Sequence, residues 1–563
     1  MSKRIKHWLS GGAAVVVLGL GSAALQNDFA LGQNVEIAVN VMRNIFLYYV
    51  DPVDPDALGK GAAAGMVAGL DPYTELIHAD ESEDFELMTT GKYGGIGSVI
   101  RQKGEWVQIA EPYEGSPAAR AGLDIGDTFL KVEGRDARGM TTGDVSAVLK
   151  GDPGTNVTIT VRKFYTGEEQ TITVRREVIS VPAVTWFGMV ADSVGYIRYA
   201  EFTDGSSDEI RGAIGALKTR GMRSLVLDLR GNGGGIMQEA VKIAGMFVPR
   251  GTEVVSMRGR GEGTSKTYRT ESEPLELAMP LAVLVDGYSA SAAEIVAGAL
   301  QDLDRAVVTG QRTFGKGLVQ TPVPVGFGSV MKITTAKYYI PSGRCIQAID
   351  YSQGPETDST GVGRGQRAIP DSLIGEFRTA GGRKVYDGGG VMPDIRLGQE
   401  YNSRFAIALY SEGLVDDFAD RWSLDNRDSR EIAPRTFALT DDDWAGFTQF
   451  MAGRKLDYES ATGSTLYHLR RVAEYERYLT PEVEAMIDSL SARLKDDTAT
   501  NLAVYRDEIT GLVEDAIVLR RLNRRGVTEH NLAGDKTLDR AIEVLHDISE
   551  YRKILTSRDT ERK

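Results

Sequence analysis

Two stretches constrain this chain more than any others: SLVLDLRGNGGG at 224–235 and LAVLVDGYSASAAEIVAGALQD at 281–302. Each opens on a short apolar run without the polar alternation of a half-exposed strand, so each reads as a strand covered on both faces. Each then passes through small residues into a helical pattern, MQEAVKIAGMFV after the first and AEIVAGALQD after the second. Upstream, VGYIRYAEF reads as a strand and SDEIRGAIGALKTRG as an amphipathic helix stopped by glycine. This alternation predicts an α/β layered core over 170–400, with its functional loops where strands deliver into helices.

At 563 residues the chain exceeds one core, and its texture changes along its length. Residues 31–83 read as a helical region, with QNVEIAVNVMRNIFLYYV carrying apolar residues at helical spacing and LDPYTELI ending it. Residues 84–165 consist of short alternating strands and glycine turns. Residues 401–563 are charged and helical, an accessory domain to which no chemistry is assigned. At the N-terminus Lys3, Arg4 and Lys6 precede an apolar run and then Ser22, Ala23 and Ala24, the order of a secretory signal. Residues 1–26 are therefore expected to be a signal peptide or a retained anchor in the inner membrane, and the body to be exported, to the periplasm.

A net charge of −14 argues against nucleic-acid binding, which needs a basic surface. Cys345 is the single cysteine, so neither an intrachain disulfide nor a thiolate metal cluster can form. The five histidines are scattered without ligand spacing, and no metal or other cofactor is expected.

Within 84–165 the features YGGIG, SPAARAGL followed by Gly126 and Asp127, and TTGDVSAVLKG occur in that order. The block resembles a PDZ domain. The resemblance implies capture of an extended C-terminal tail as an added strand, with Tyr93, Gly94, Gly95, Ile96 and Gly97 holding its carboxylate.

Ser289 and Ser291 sit between a buried strand and a helix, where free helical N–H groups can stabilise an oxyanion. On local pattern alone both read more readily as helix N-caps than as nucleophiles. Downstream, TGQRTFGKGLVQ places Lys316 between two glycines in apolar surroundings, and no histidine lies between His78 and His468. A desolvated lysine can be neutral and act as a base, so a Ser-Lys dyad needs no histidine.

DGYSASAAEIVAGALQDLDRAVVTGQRTFGKGLVQ, together with LDPYTELI, the PDZ-like block, LVLDLRGNGGG, TAKYYIPSGRCIQ and GGGVMPDI, resembles the C-terminal processing (tail-specific) serine proteases over residues 35–400. The resemblance implies a crotonase-like α/β peptidase core with Ser291 as nucleophile, Lys316 as general base and Gln320, one helical turn on, orienting the lysine. It also implies an oxyanion hole from the Ala292 N–H and that of Gly233 or Gly234, which the sequence does not separate. Ser289 becomes a supporting residue, and Tyr288 departs from the small residue the family pattern carries there. The implied substrates are proteins or peptides with exposed C-termini, and the pattern leaves room for an adaptor protein and a homo-oligomer. Two other readings are a non-catalytic PDZ binding protein on a degenerate scaffold and an acyl-CoA hydratase-like enzyme. Retention of the serine, lysine and glycines disfavours the first, and the signal and PDZ-like segments the second.

Overall fold

The computed structural model describes residues 29–556 other than 82–86, 88, 262, 352–355, 358–362, 366–368, 370, 399–401, 429–430, 455, 457, 459 and 495–496. The N-terminal stretch read as a signal or anchor lies outside the described residues. By contact the chain divides into a smaller unit, residues 1–79, 320–334 and 351–366, and a larger one holding the remainder.

In the larger unit a six-stranded sheet forms the core. Its strands, in spatial order, are β1 (Val184–Ala191), β2 (Val194–Tyr199), β3 (Ser224–Asp228), β4 (Leu281–Val285), β5 (Val307–Gly310) and β6 (Ile395–Arg396). β1 is antiparallel to β2 and every later pair is parallel. The crossovers carry α1 (Ser206–Thr219), α2 (Met237–Gly245) and α3 (Ala292–Asp302). Side chains alternate along the strands, so Leu225, Leu227, Val283 and Val308 join Ile210, Ala240 and Val296 of these helices on one face.

The opposite face shows Val226, Ala282, Leu284 and Val307, and it is covered from the far end of the chain. Leu538, Ala541, Val544 and Leu545 of helix Lys536–His546, with Tyr551 of the helix that follows, pack on it. The Tyr551 hydroxyl accepts the Leu281 N–H at 3.1 Å. In sequence, residues 401–563 read as an accessory domain. Its last two helices instead close the second face of the core sheet, because every residue of β3 and β4 is buried and needs cover on both sides.

Residues 98–175 form a second sheet from Ser98–Lys103, Trp106–Pro112, Thr128–Val132, Asn156–Arg162 and Glu169–Arg175, closed over Val107, Ile109, Phe129, Val145 and Val161. Helix Thr142–Leu149 starts at a capping box in which Thr141 and Asp144 satisfy each other's N–H groups. This sheet touches the C-terminal helices through charge. Arg101 pairs with Asp416 at 2.5 Å, Lys103 with Asp417 at 2.9 Å, and Glu111 accepts the Arg524 N–H at 3.0 Å. That N–H is available because helix Arg506–His530 is broken at Asn523, whose φ is 58°.

In the smaller unit residues 29–48 are helical, and Pro55–Val67 forms a second helix capped by Asp54. Helix 29–48 buries none of its residues. LDPYTELI then turns on Asp71, whose carboxylate accepts the Tyr73 and Thr74 N–H groups at 2.9 Å each, and Glu75–Ile77 pairs antiparallel with residues 330–332. The helical reading of 31–83 therefore ends too late.

Candidate active site

β3 and β4 are parallel neighbours with Asp228 opposite Leu284, so the loops that leave them emerge at one edge of the sheet. Asp286 joins the two loops. Its carboxylate accepts the Gly231 N–H from the first loop, at 3.0 Å to each oxygen, and the Tyr288 and Ser289 N–H groups of its own loop at 3.0 and 2.9 Å. Ser289 is fully buried, donates to the Leu229 carbonyl at 2.8 Å and accepts the Asp286 N–H at 2.9 Å. These bonds occupy Ser289 within the loop scaffold.

Ser291 is half-buried directly before α3, with φ 54° and ψ −114°. Such a backbone costs a residue with a Cβ roughly 1–3 kcal/mol and persists only where neighbours over-determine it. Here they are identifiable. The Ser291 N–H donates to Glu294 Oε2 at 2.8 Å, and its carbonyl accepts the Ile295 N–H at 2.9 Å and the Tyr338 hydroxyl at 3.1 Å.

The same two side chains hold Lys316. Its N–H donates to Glu294 Oε2 at 2.9 Å, and its carbonyl bonds the Tyr338 hydroxyl. Glu294 Oε1 takes the Gly315 N–H at 2.7 Å and the Thr313 hydroxyl at 2.5 Å. One carboxylate and one phenol thus tie the backbones of Ser291 and Lys316 together from both sides. Glu294 is fully buried, and burial pushes its carboxyl up to about 7 against the hydrogen bonds from Thr313, Lys316, Gly315 and Ser291. An ionised carboxylate accepts all four bonds, and on protonation Thr313 Oγ1, 2.5 Å from Oε1, can accept the carboxyl proton in turn.

The glycine turn after β3 lies against Ser291. A Cβ on Gly234 would stand 2.8 Å from Ser291 Cβ and from the Ala290 oxygen, and its φ is +99°, so only glycine fits. The Gly234 N–H donates to Asn232 Oδ1 at 2.9 Å, while the Asn232 carbonyl accepts the Ala290 N–H at 2.9 Å. Among the described residues the N–H groups of Gly233 and Ala292 have no partner. Of the two glycines left open in sequence, Gly234 thus has its N–H engaged by Asn232, while that of Gly233 is not.

Gln320 lies in the smaller unit, where its amide donates to Thr334 Oγ1 at 3.1 Å, and that hydroxyl donates to Asp71 Oδ1 at 3.1 Å. It does not stand one helical turn after Lys316, because Leu318–Gly326 is a strand. Of the five residues read as the tail-binding loop, Tyr93, Gly94 and Gly95 belong to strand Lys92–Gly95, paired with Glu177–Ser180. Ile96 and Gly97 alone form the bend before Ser98–Lys103, with the Ile96 carbonyl accepting the Ala118 N–H at 2.8 Å. A Cβ on Gly94 would lie 2.2 Å from the Gly151 oxygen, which sets the loop against the end of helix Thr142–Leu149.

Glu294, Tyr338 and Asn232 are not singled out as site residues by the sequence pattern. Glu294 carries a signal, since a glutamate three residues after a serine at a helix start is a capping-box spacing. Tyr338 and Asn232 carry none that distinguishes them from core residues.

Known proteins share these parts. A model described as peptidase family S41 matches residues 193–357, one described as a PDZ domain matches 108–163, and one described as the C-terminal helical domain of a probable PDZ-protease matches 405–545. The carboxy-terminal-processing protease of Bartonella bacilliformis is 34% identical over 314 residues, 55% of this chain and 72% of that protein. A probable CtpA-like serine protease of Staphylococcus aureus is 36% identical over 310 residues, 54% of this chain, and the match spans only 61% of that protein's length. Among solved structures, the photosystem II D1 C-terminal processing protease is 28% identical, covers 63% of this chain and 85% of its own, and has a TM-score of 0.33. The chain belongs to the carboxy-terminal-processing proteases of peptidase family S41. It is a serine protease that carries a PDZ domain.

Proposed function

We propose that this chain is an exported endopeptidase, periplasmic or held at the inner membrane, that captures protein substrates by their C-terminal tails and cleaves them with a Ser291–Lys316 dyad on a crotonase-like core. The observation that carries the reading is the clamp by which Glu294 and Tyr338 tie the backbone of Ser291, at the mouth of a helix, to that of Lys316. Lys316 takes the Ser291 hydroxyl proton as the oxygen attacks the scissile carbonyl, and an acyl-enzyme forms as the peptide C–N bond breaks. The lysine returns that proton to the leaving amine, and water then releases the acyl group. The N–H groups of Gly233 and Ala292 receive the negative oxygen of each tetrahedral intermediate.

A lysine serves as base only when neutral, so the half-buried setting of Lys316 among Phe314, Gly315, Gly317 and Leu318 favours the role by withholding water from the ammonium form. Gln320 as the group that orients the lysine rests on the family pattern. Tail capture rests on the PDZ match and on the bend at Ile96 and Gly97. The exposed Phe29, Val35, Ile37, Phe46 and Leu47 of helix 29–48 support self-association. The N-terminal charge and apolar order supports export.

Single-turnover cleavage of one unfolded substrate, from neutral to alkaline pH, tests the dyad. Wild type gains rate with pH, and Ser291→Ala and Lys316→Arg are folded but inactive, since a guanidinium does not deprotonate in this range. Gln320→Ala keeps more rate than Lys316→Ala. A folded Lys316→Arg chain cleaving at the wild-type rate would place the base elsewhere.

A further inference from the structure

The turn that offers the Gly233 N–H is reached from the C-terminal end of the chain. Arg230, three residues before Gly233, holds two carboxylates at once. It donates to Asp228 from Nε at 3.0 and 3.1 Å and from Nη2 at 2.6 Å, and to Asp535 from Nη1 at 3.1 Å and Nη2 at 2.6 Å. Asp228 is fully buried and also receives Arg198 at 2.8 Å and the Tyr196 hydroxyl at 2.6 Å. Burial raises its carboxyl, but Arg230 and Arg198 outweigh that and hold it below the usual carboxylate range.

The cluster balances two guanidinium groups against two carboxylates, and Asp535 is the member that belongs to the C-terminal helices. Asp535 is also the N-cap of helix Lys536–His546, accepting the Thr537 and Leu538 N–H groups at 3.0 Å each. That helix lies on the core sheet through Leu538, Ala541 and Val544. Without Asp535, Asp228 would be shared between Arg198 and Arg230, leaving one cation of a poorly hydrated cluster uncompensated. Arg230 would then be drawn toward Asp286, the next carboxylate beside the same cavity. Asp286 holds the Gly231 N–H and the Ser289 turn, so the displacement would reach both halves of the site.

We propose that Asp535 is a positioning residue for the oxyanion turn, so that the C-terminal helical segment, through Arg230, sets the place of the Gly233 N–H beside Ser291. The inference rests on the Gly233 and Ala292 assignment made above. Its consequence is that the C-terminal helices take part in transition-state stabilisation without touching substrate.

The test uses the full-length chain with Asp535→Ser, which keeps a good helix cap but cannot neutralise Arg230, beside Asp535→Asn, Asp535→Glu and Ser291→Ala. Folding is read by circular dichroism, steady-state cleavage of a peptide gives kcat and KM, and inhibition by a peptide aldehyde reports on the oxyanion site, because its adduct places an oxyanion there. Asp535→Ser is expected to lower kcat about tenfold, part of the loss seen when an oxyanion donor is removed outright. KM should stay within twofold, aldehyde affinity should weaken in parallel with kcat, and Asp535→Glu should recover most of both. Should Asp535→Ser fail to fold, Asp535→Asn, which retains acceptors for cap and guanidinium, is read in its place. A folded variant with wild-type kcat and aldehyde affinity overturns the positioning role, as does a loss of kcat with aldehyde affinity unchanged. Cleavage by Ser291→Ala would instead overturn the catalytic reading beneath it.

Discussion

The backbone N–H groups of Ser291 and Lys316 end on a single oxygen, Oε2 of Glu294, at 2.8 and 2.9 Å. The two residues proposed to exchange a proton are held by their main chains, which leaves their side chains to move on rotamers alone. Precise placement of this kind is where much of a catalyst's advantage over solution arises.

Glu294→Gln tests that oxygen. An amide nitrogen would face N–H donors on one side of the group, and kcat is expected to fall by about one to two orders of magnitude. The pH dependence separates this from general damage. A carboxyl raised from 4.5 to about 7 in the folded chain adds stability while protonated, fully below 4.5, and that stability is lost as pH rises through 7. Wild type should therefore lose about 3 kcal/mol from this group across that window, and Glu294→Gln should not. Activity moves the other way, because the ionised form accepts the Ser291 and Lys316 N–H groups. Urea unfolding at pH 5 and 8, with kcat at intermediate pH values, reads both. Equal pH slopes in the two proteins would exclude a titrating Glu294.

Tyr338→Phe removes the hydroxyl between the Ser291 and Lys316 carbonyls while keeping the ring, which is buried. Stability should fall by about 1 kcal/mol. The informative measurement is kcat against KM: the former should drop several-fold and the latter hold. A change confined to KM would assign the tyrosine to substrate binding.

Ser289→Ala should behave unlike Ser291→Ala. Ser289 is buried with a donor bond to Leu229 and an acceptor bond from Asp286, so its loss leaves polar groups unmatched at about 1–3 kcal/mol. The variant is expected to melt several degrees lower and to retain part of its cleavage, whereas Ser291→Ala melts normally and cleaves nothing. Thermal melts beside single-turnover assays make the comparison, and complete inactivity of a folded Ser289→Ala chain would reopen the choice of nucleophile.

Tail capture can be measured on the Ser291→Ala chain. Peptides ending in apolar residues should bind, and amidating their C-terminus should weaken them about tenfold through loss of charge-assisted bonds. Gly97 has φ +77°, and a Cβ there would meet Ser116 Cβ at 2.5 Å. Gly97→Ala should therefore weaken the free-acid peptides and narrow their advantage over the amides. Affinity indifferent to both changes would remove the carboxylate cradle from this bend.

The order of strands and helices in the core, the glycine turn after LDLR and the place of Ser291 at a helix start were all legible in the sequence. These are local properties: burial on both faces shows as continuous apolar runs, and a backbone that must pass close to its neighbour shows as glycine. The ends of elements were less legible. LDPYTELI turns and pairs as a strand instead of closing a helix, and Gln320 sits on a strand instead of a helical turn, because short polar-apolar mixtures satisfy either period. Tertiary structure alone decided the rest. Glu294 meets Lys316 across 22 residues, Tyr338 reaches Ser291 across 47, and Asp535 reaches Arg230 across 305. A buried acid, a phenol and a surface-type aspartate look alike in sequence wherever they occur. Their partners are set by sheet register and by which helix covers which face, and those are properties of the packed chain.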